Sequence, residues 1–164
     1  MSQNTYNIEQ IEQISNAVLK AFNEDNKSVI DVINIANNLG FTVSQAKFDR
    51  DISGMVKNSK EVKQIFINNQ DIPSRQRFTL AHEIGHILLH HDNLDEDFDV
   101  VDYRNNGISN RKESEADSFA ASLLMPKERA KNVWAFYEDV DDFAEEFGVS
   151  KMAASIRLRN LGLI

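Results

Sequence analysis

All four histidines of the chain, His82, His86, His90 and His91, fall within ten residues. His82, Glu83 and His86 spell H-E-x-x-H in a segment whose apolar spacing reads as helical. Residues four apart on a helix share a face, so His82 and His86 can offer imidazole nitrogens to one ion. Glu83 lies beside that face and can reach a metal-held water without ligating the metal. Zinc with three protein ligands keeps a fourth position for water and lowers its pKa to about 7. Glu83 would then act as general base and carry the proton to a leaving amine. The motif fixes only three positions, however, and two histidines on one helix face also suit a packed core. The flanking residues must decide.

A third ligand is needed, and the chain has no cysteine to supply one. Glu113, Ser114, Glu115, Ala116 and Asp117 open the next helical stretch. Glu113 and Asp117 share a helix face, while Glu115 points roughly to the other side. One arrangement uses both members of the pair. Glu113 ligates the metal, and Asp117 accepts a hydrogen bond from the far ring nitrogen of a ligand histidine, His82 being the natural partner. The same acids would also suit a solvated helix start, where the macrodipole favours negative charge.

Residues 78–86, followed by residues 113–126 ending in Leu-Leu-Met-Pro, resemble the ImmA/IrrE family of metallo-endopeptidases. The resemblance implies a zinc peptidase with His82, His86 and Glu113 as ligands and Glu83 as the catalytic residue. It also implies a protein substrate, a helix-turn-helix transcriptional repressor, in a phage, mobile-element or stress-response setting.

These residues need elements to position them. Apolar spacing predicts a helix over residues 8–22. A second helix is expected from an N-cap at Ser28 to Leu39, ended by Gly40. Residues 41–43, 54–57 and 62–67 read as three short strands, the last two joined by a turn at 58–61. The active helix is expected over residues 74–90 and an acidic, irregular loop over 92–107. Helices follow at 111–125, 126–137, 140–147 and 150–160, with Pro126 at the N1 position of its helix. The expected fold is α+β and zincin-like, with a small three-stranded antiparallel sheet packed against helices. Residues 1–137 would form the metallopeptidase domain and 138–164 a helix-turn-helix-like subdomain.

Around this site, His90 reads as a cap for the last turn of its helix and His91 as exposed. Tyr103 is a candidate donor to the oxyanion that develops on a scissile carbonyl. Trp134, Phe136 and Tyr137 read as core.

The 164 residues carry a net charge of −8, a poor starting point for binding nucleic acid or anionic membranes. No apolar run approaches the ~20 residues of a membrane span, and no signal peptide is visible, which points to the cytoplasm. Residues 143–150 nevertheless resemble the first helix and turn of a helix-turn-helix, with Lys151, Arg157 and Arg159 available for phosphates. Two alternatives to a peptidase follow: a DNA-binding regulator, or a zinc-containing protein-binding module without proteolysis. Charge disfavours the first, because residues 138–164 hold six acids against three basic residues. The acidity gathers in two stretches, 92–102 and 138–146, each with six acids and no Lys or Arg. Such patches suit a basic protein partner, or simply a solvated surface.

Overall fold

The computed structural model describes residues 5–91, 96–103 and 110–164, with Tyr103 as backbone alone. Helices α1 (Ile8–Ala21) and α2 (Val32–Asn38) precede strands β1 (Thr42–Ala46), β2 (Ile52–Asn58) and β3 (Lys63–Asn68). Helix α3 (Pro73–His90), strand β4 (Phe98–Tyr103) and helices α4 (Arg111–Leu124), α5 (Lys127–Tyr137), α6 (Val140–Phe147) and α7 (Lys151–Asn160) complete the order. The α+β expectation holds. Among the described residues no helix is long and apolar enough to cross a membrane.

The sheet differs from expectation. It has four strands in the order β1-β3-β2-β4. β2 and β3 form the expected hairpin, closed by a hydrogen bond from the Ser59 amide to the Val62 carbonyl at 2.7 Å. β1 lies parallel to β3, so the sheet is mixed rather than antiparallel. β4 pairs antiparallel with β2. It occupies part of the stretch expected to be an acidic loop; the flanking residues 92–95 and 104–107 lie outside the described residues. Phe98 and Val100 alternate inward against the core, and that alternation makes a strand despite the acids between them.

The start of α2 also shifts. Its N-cap is Asp31 rather than Ser28, with the Asp31 side chain accepting from the Asn34 amide. Residues 24–31 form a turn around the buried Glu24 carboxylate, which accepts from Lys27 at 2.7 Å, the Asp31 amide at 3.0 Å and Asn34 at 2.8 Å. The helix therefore cannot begin earlier. Pro126 stands at the N-cap of α5 rather than at N1.

α3 runs through the middle of the molecule, with every residue from 79 to 87 buried. Its Ile84 and Ile87 join Phe119, Ala120 and Leu123 of α4 in one core, together with Ile65 and Val56 of the sheet. α3 and α4 approach closely at Gly85, where an added Cβ would lie 3.1 Å from a Phe119 ring carbon and 3.2 Å from Ala116 Cα. That approach brings the histidines of α3 to the acids of α4.

The C-terminal helices share this core through Phe143, Phe147, Ala154 and Leu158. α6 and α7 form as expected, with Gly148 left-handed at φ 63° and Ser150 capping α7 by accepting from the Ala153 amide. Two of the three basic residues have partners within the chain. Arg157 is buried, pairs with Glu12 of α1 at 2.5 Å and donates to the Met125 carbonyl at 3.0 Å. Lys151 pairs with Asp141 at 2.8 Å. Of the acids in 138–146, Asp139 caps α6 and Glu146 meets Arg129 at 2.6 Å. Trp134 packs edge-on to Phe143, as a core residue should, but Phe136 is 80% exposed and Tyr137 40%, so neither is core.

Candidate metal centre

Five functional side chains come from two helices, His82, Glu83 and His86 of α3 and Glu113 and Asp117 of α4. α3 presents His82 and His86 one turn apart, both buried. Asn110 caps α4 by accepting from the Glu113 amide, which places Glu113 in the first turn opposite those imidazoles. His82 Nε2 and His86 Nε2 lie 3.0 Å apart. Glu113 Oε2 is 3.2 Å from His82 Nε2, and Oε1 is 3.0 Å from His86 Nε2. One ligand atom from each of these three residues lies within 4.8 Å of the others. Asp117, one turn beyond Glu113, accepts from His82 Nδ1 at 2.8 Å. A proton kept on Nδ1 by Asp117 leaves Nε2 as the nitrogen that His82 turns toward the cluster. Two imidazole nitrogens and a carboxylate converging on one point are the donor set of a zinc-type cation.

The electrostatics match that need for positive charge. Burial by itself would lower the His82 pKa, but hydrogen bonds with Asp117 and Glu113, with charge from Asp102 and Glu83, carry it well above the usual value. Hydrogen bonds with His82 and His86 hold the Glu113 carboxyl far below the ordinary carboxylate range. Glu83 is fully buried, and neither of its oxygens has a hydrogen-bond partner among the described residues. Burial pushes its carboxyl up to about 8, with His82 opposing and Asp102 and Glu113 reinforcing. A buried carboxyl without partners, beside a cluster of metal-ligand type, is poised to take up and release a proton.

Three residues near the cluster have roles that sequence reading missed. Asp102 of β4 brings Oδ1 to 4.0 Å from His82 Nε2, and burial raises its pKa. It shares the inward side of β4 with Phe98 and Val100, so recognising that alternation would have pointed to it. His90 does not cap its helix. It reaches across to Glu115 of α4, Nε2 to Oε2 at 2.9 Å. His91 is half-buried and stacks on Phe98 with ring centroids 3.7 Å apart. The Tyr103 side chain lies outside the described residues.

Residues 36–159 match the Peptidase_M78 family, described as the IrrE N-terminal-like domain. The chain belongs to this ImmA/IrrE metallopeptidase family. It is 40% identical over 85 residues to the radiation response metalloprotease IrrE of Deinococcus deserti, covering 51% of the chain and 26% of that protein. It is 45% identical over 64 residues to the protein of the same name from Deinococcus radiodurans, covering 38% of the chain and 19% of that protein. The matched stretches thus span about a quarter or less of those relatives. A transcriptional regulator of Mycobacterium tuberculosis has a similar fold, with a TM-score of 0.65 and 13% identity over 92% of this chain and 46% of that one. The three residues brought together here, His82 and His86 of α3 and Glu113, the first acid of the E-x-E-A-D stretch 113–117 of α4, all lie within the matched residues.

Proposed function

We propose that this ImmA/IrrE-family chain is a zinc-dependent endopeptidase that hydrolyses a peptide bond in a protein substrate. The carrying observation is the convergence of His82, His86 and Glu113 beside a buried Glu83 that has no hydrogen-bond partner among the described residues. His82, His86 and Glu113 hold the ion, and Asp117 keeps His82 in the tautomer that ligates. Zinc, when bound, polarises a carbonyl and acidifies water. Glu83 accepts the proton of the attacking water and delivers it to the leaving amine. Its burial holds that proton until the amine departs. The zincin-like reading of the fold belongs to this proposal, as does the division into a metallopeptidase unit, 1–137, and a C-terminal element, 138–164. The substrate we propose is a helix-turn-helix transcriptional repressor in the cytoplasm, on the family resemblance.

Metal analysis of the full chain and of Glu83→Gln, prepared without chelators, tests the core of this reading. Stoichiometric zinc is expected in both. Cleavage of a purified helix-turn-helix repressor, with denatured casein as control, should fall by about 10²–10⁴-fold in the variant. Glu113→Ala should lose the metal. A wild-type chain that binds no zinc overturns the proposal.

A further inference from the structure

The two ligand histidines are held in different ways. His82 meets a carboxylate directly. The far nitrogen of His86 meets another imidazole: His86 Nδ1 and His90 Nδ1 lie 3.2 Å apart. His90 Nε2 then meets Glu115 Oε2 at 2.9 Å, and both side chains are almost fully buried. The other oxygen of Glu115 accepts from the Tyr6 amide and from Arg111 Nε, each at 3.1 Å. Every neighbour of this carboxylate donates, so Glu115 is an ionised acceptor.

The proton positions follow in order. An ionised Glu115 places a proton on His90 Nε2, which leaves a lone pair on Nδ1 of a neutral His90. Two ring nitrogens in hydrogen-bond contact share one proton, so it sits on His86 Nδ1. With Nδ1 protonated, Nε2 is the His86 nitrogen left for a metal, and it is the one that faces His82 Nε2 and Glu113. The alternative proton order would leave Nδ1 bare and place the neutral ring's one proton on Nε2, the nitrogen a metal must use.

We infer that His90 and Glu115 form a positioning relay that fixes His86 in its metal-ligating tautomer and orientation. The inference rests on the metal-site reading above. It also explains why the second acid of the E-x-E-A-D element is buried although it points away from the first: Glu113 serves the cluster, and Glu115 serves the histidine one turn farther along α3.

The test compares His90→Leu with His90→Asn in the full chain. Leu and Asn are close in shape, but only Asn keeps an acceptor where Nδ1 stood. Zinc affinity is measured by competition with a chromophoric chelator, and the cobalt-substituted protein is followed by its visible spectrum. His90→Leu should weaken zinc binding by about 10–100-fold and alter the cobalt spectrum, whereas His90→Asn should stay within about threefold of wild type. Equal losses in the two variants, or none in either, overturn the relay. Imidazole ¹H–¹⁵N spectra of the metal-free wild-type chain give a second answer that no folding defect can obscure. The expected proton positions are Nε2–H on His90 and a proton on Nδ1 of His86, with His86 Nε2 free to donate to Glu113; a His90 protonated on Nδ1 instead, or a His86 with Nδ1 bare, overturns the relay. A wild type that binds no zinc but shows these tautomers defeats the metal site and leaves the proton order standing.

Discussion

Glu24 and Glu83 are both fully buried glutamates, yet they are opposites. Glu24, in the turn between α1 and α2, receives donors from Lys27, Asp31 and Asn34. Burial pushes its pKa up, but those hydrogen bonds outweigh burial and hold it below the ordinary value. Glu83, in the middle of α3, has no hydrogen-bond partner among the described residues, and burial dominates. Burial of a charge-bearing group therefore does not by itself mark function. A structural carboxylate has its demands met locally, whereas a reactive one is left with a demand that a substrate or ion must meet. The Arg157–Glu12 pair between α7 and α1 stands with Glu24: among the described residues one oxygen and one nitrogen lack partners, but the charges match each other.

The largest effect that sharpens this contrast is expected at that pair. Arg157→Ala leaves Glu12 as an uncompensated buried charge and should cost about 3–5 kcal/mol in chemical denaturation. Zinc content of the folded fraction should stay at the wild-type level. Near-wild-type stability would mean that the C-terminal helices are not tied to the core through this contact.

Next comes Glu24 itself. Glu24→Gln should destabilise the fold by about 2 kcal/mol, since charge-assisted hydrogen bonds are lost. The contribution has a definite pH sign. The folded pKa lies below the unfolded one, so the folded chain binds fewer protons in the acid range. Stability from Glu24 is complete at neutral pH and drains away as pH falls below the ordinary 4.5 and through the lower folded value. Denaturation curves at several pH values should show wild type and Glu24→Gln converging in acid. By contrast, Glu83→Gln in the metal-free chain should melt no lower than wild type. A Glu83→Gln loss as large as that of Glu24→Gln would show that both carboxylates are structural.

The smallest effect is expected at Gly54 of β2, which lies against Glu83. An added Cβ would sit 2.9 Å from Thr79 Cγ2, 3.0 Å from the Phe66 carbonyl oxygen and 3.3 Å from Glu83 Oε1. Gly54→Ala should cost about 1–2 kcal/mol through overpacking. Because the crowding reaches Glu83, peptidase activity should fall more than zinc affinity does; the reverse ranking would place Glu83 away from the reaction.

Much of this was legible before any coordinates. The four-residue spacing of His82 and His86, and of Glu113 and Asp117, needs only a helix to put each pair on one face. The structure brings those two faces together. The cap at Ser150, the left-handed turn at Gly148 and the β2–β3 hairpin are likewise local, written in a few neighbouring residues. The sequence also separated Glu113 from Glu115 by the side of the helix on which each lies, together with the family resemblance.

Other features depend on partners far away in the chain, and only the tertiary structure decided them. β1 pairs in parallel with β3 because the hairpin inserts β3 between β1 and β2, a choice that no local pattern specifies. β4 forms because Phe98 and Val100 find the core, overriding the acids around them, and it brings Asp102 to His82. Arg157 looks like a phosphate ligand in sequence and is an internal ion pair in space, because Glu12 waits for it 145 residues away. His90 changes from a helix cap to a link between His86 and Glu115 for the same reason: hydrogen bonds are short and directional, and the chain alone does not say which acid will arrive within 3 Å of which ring.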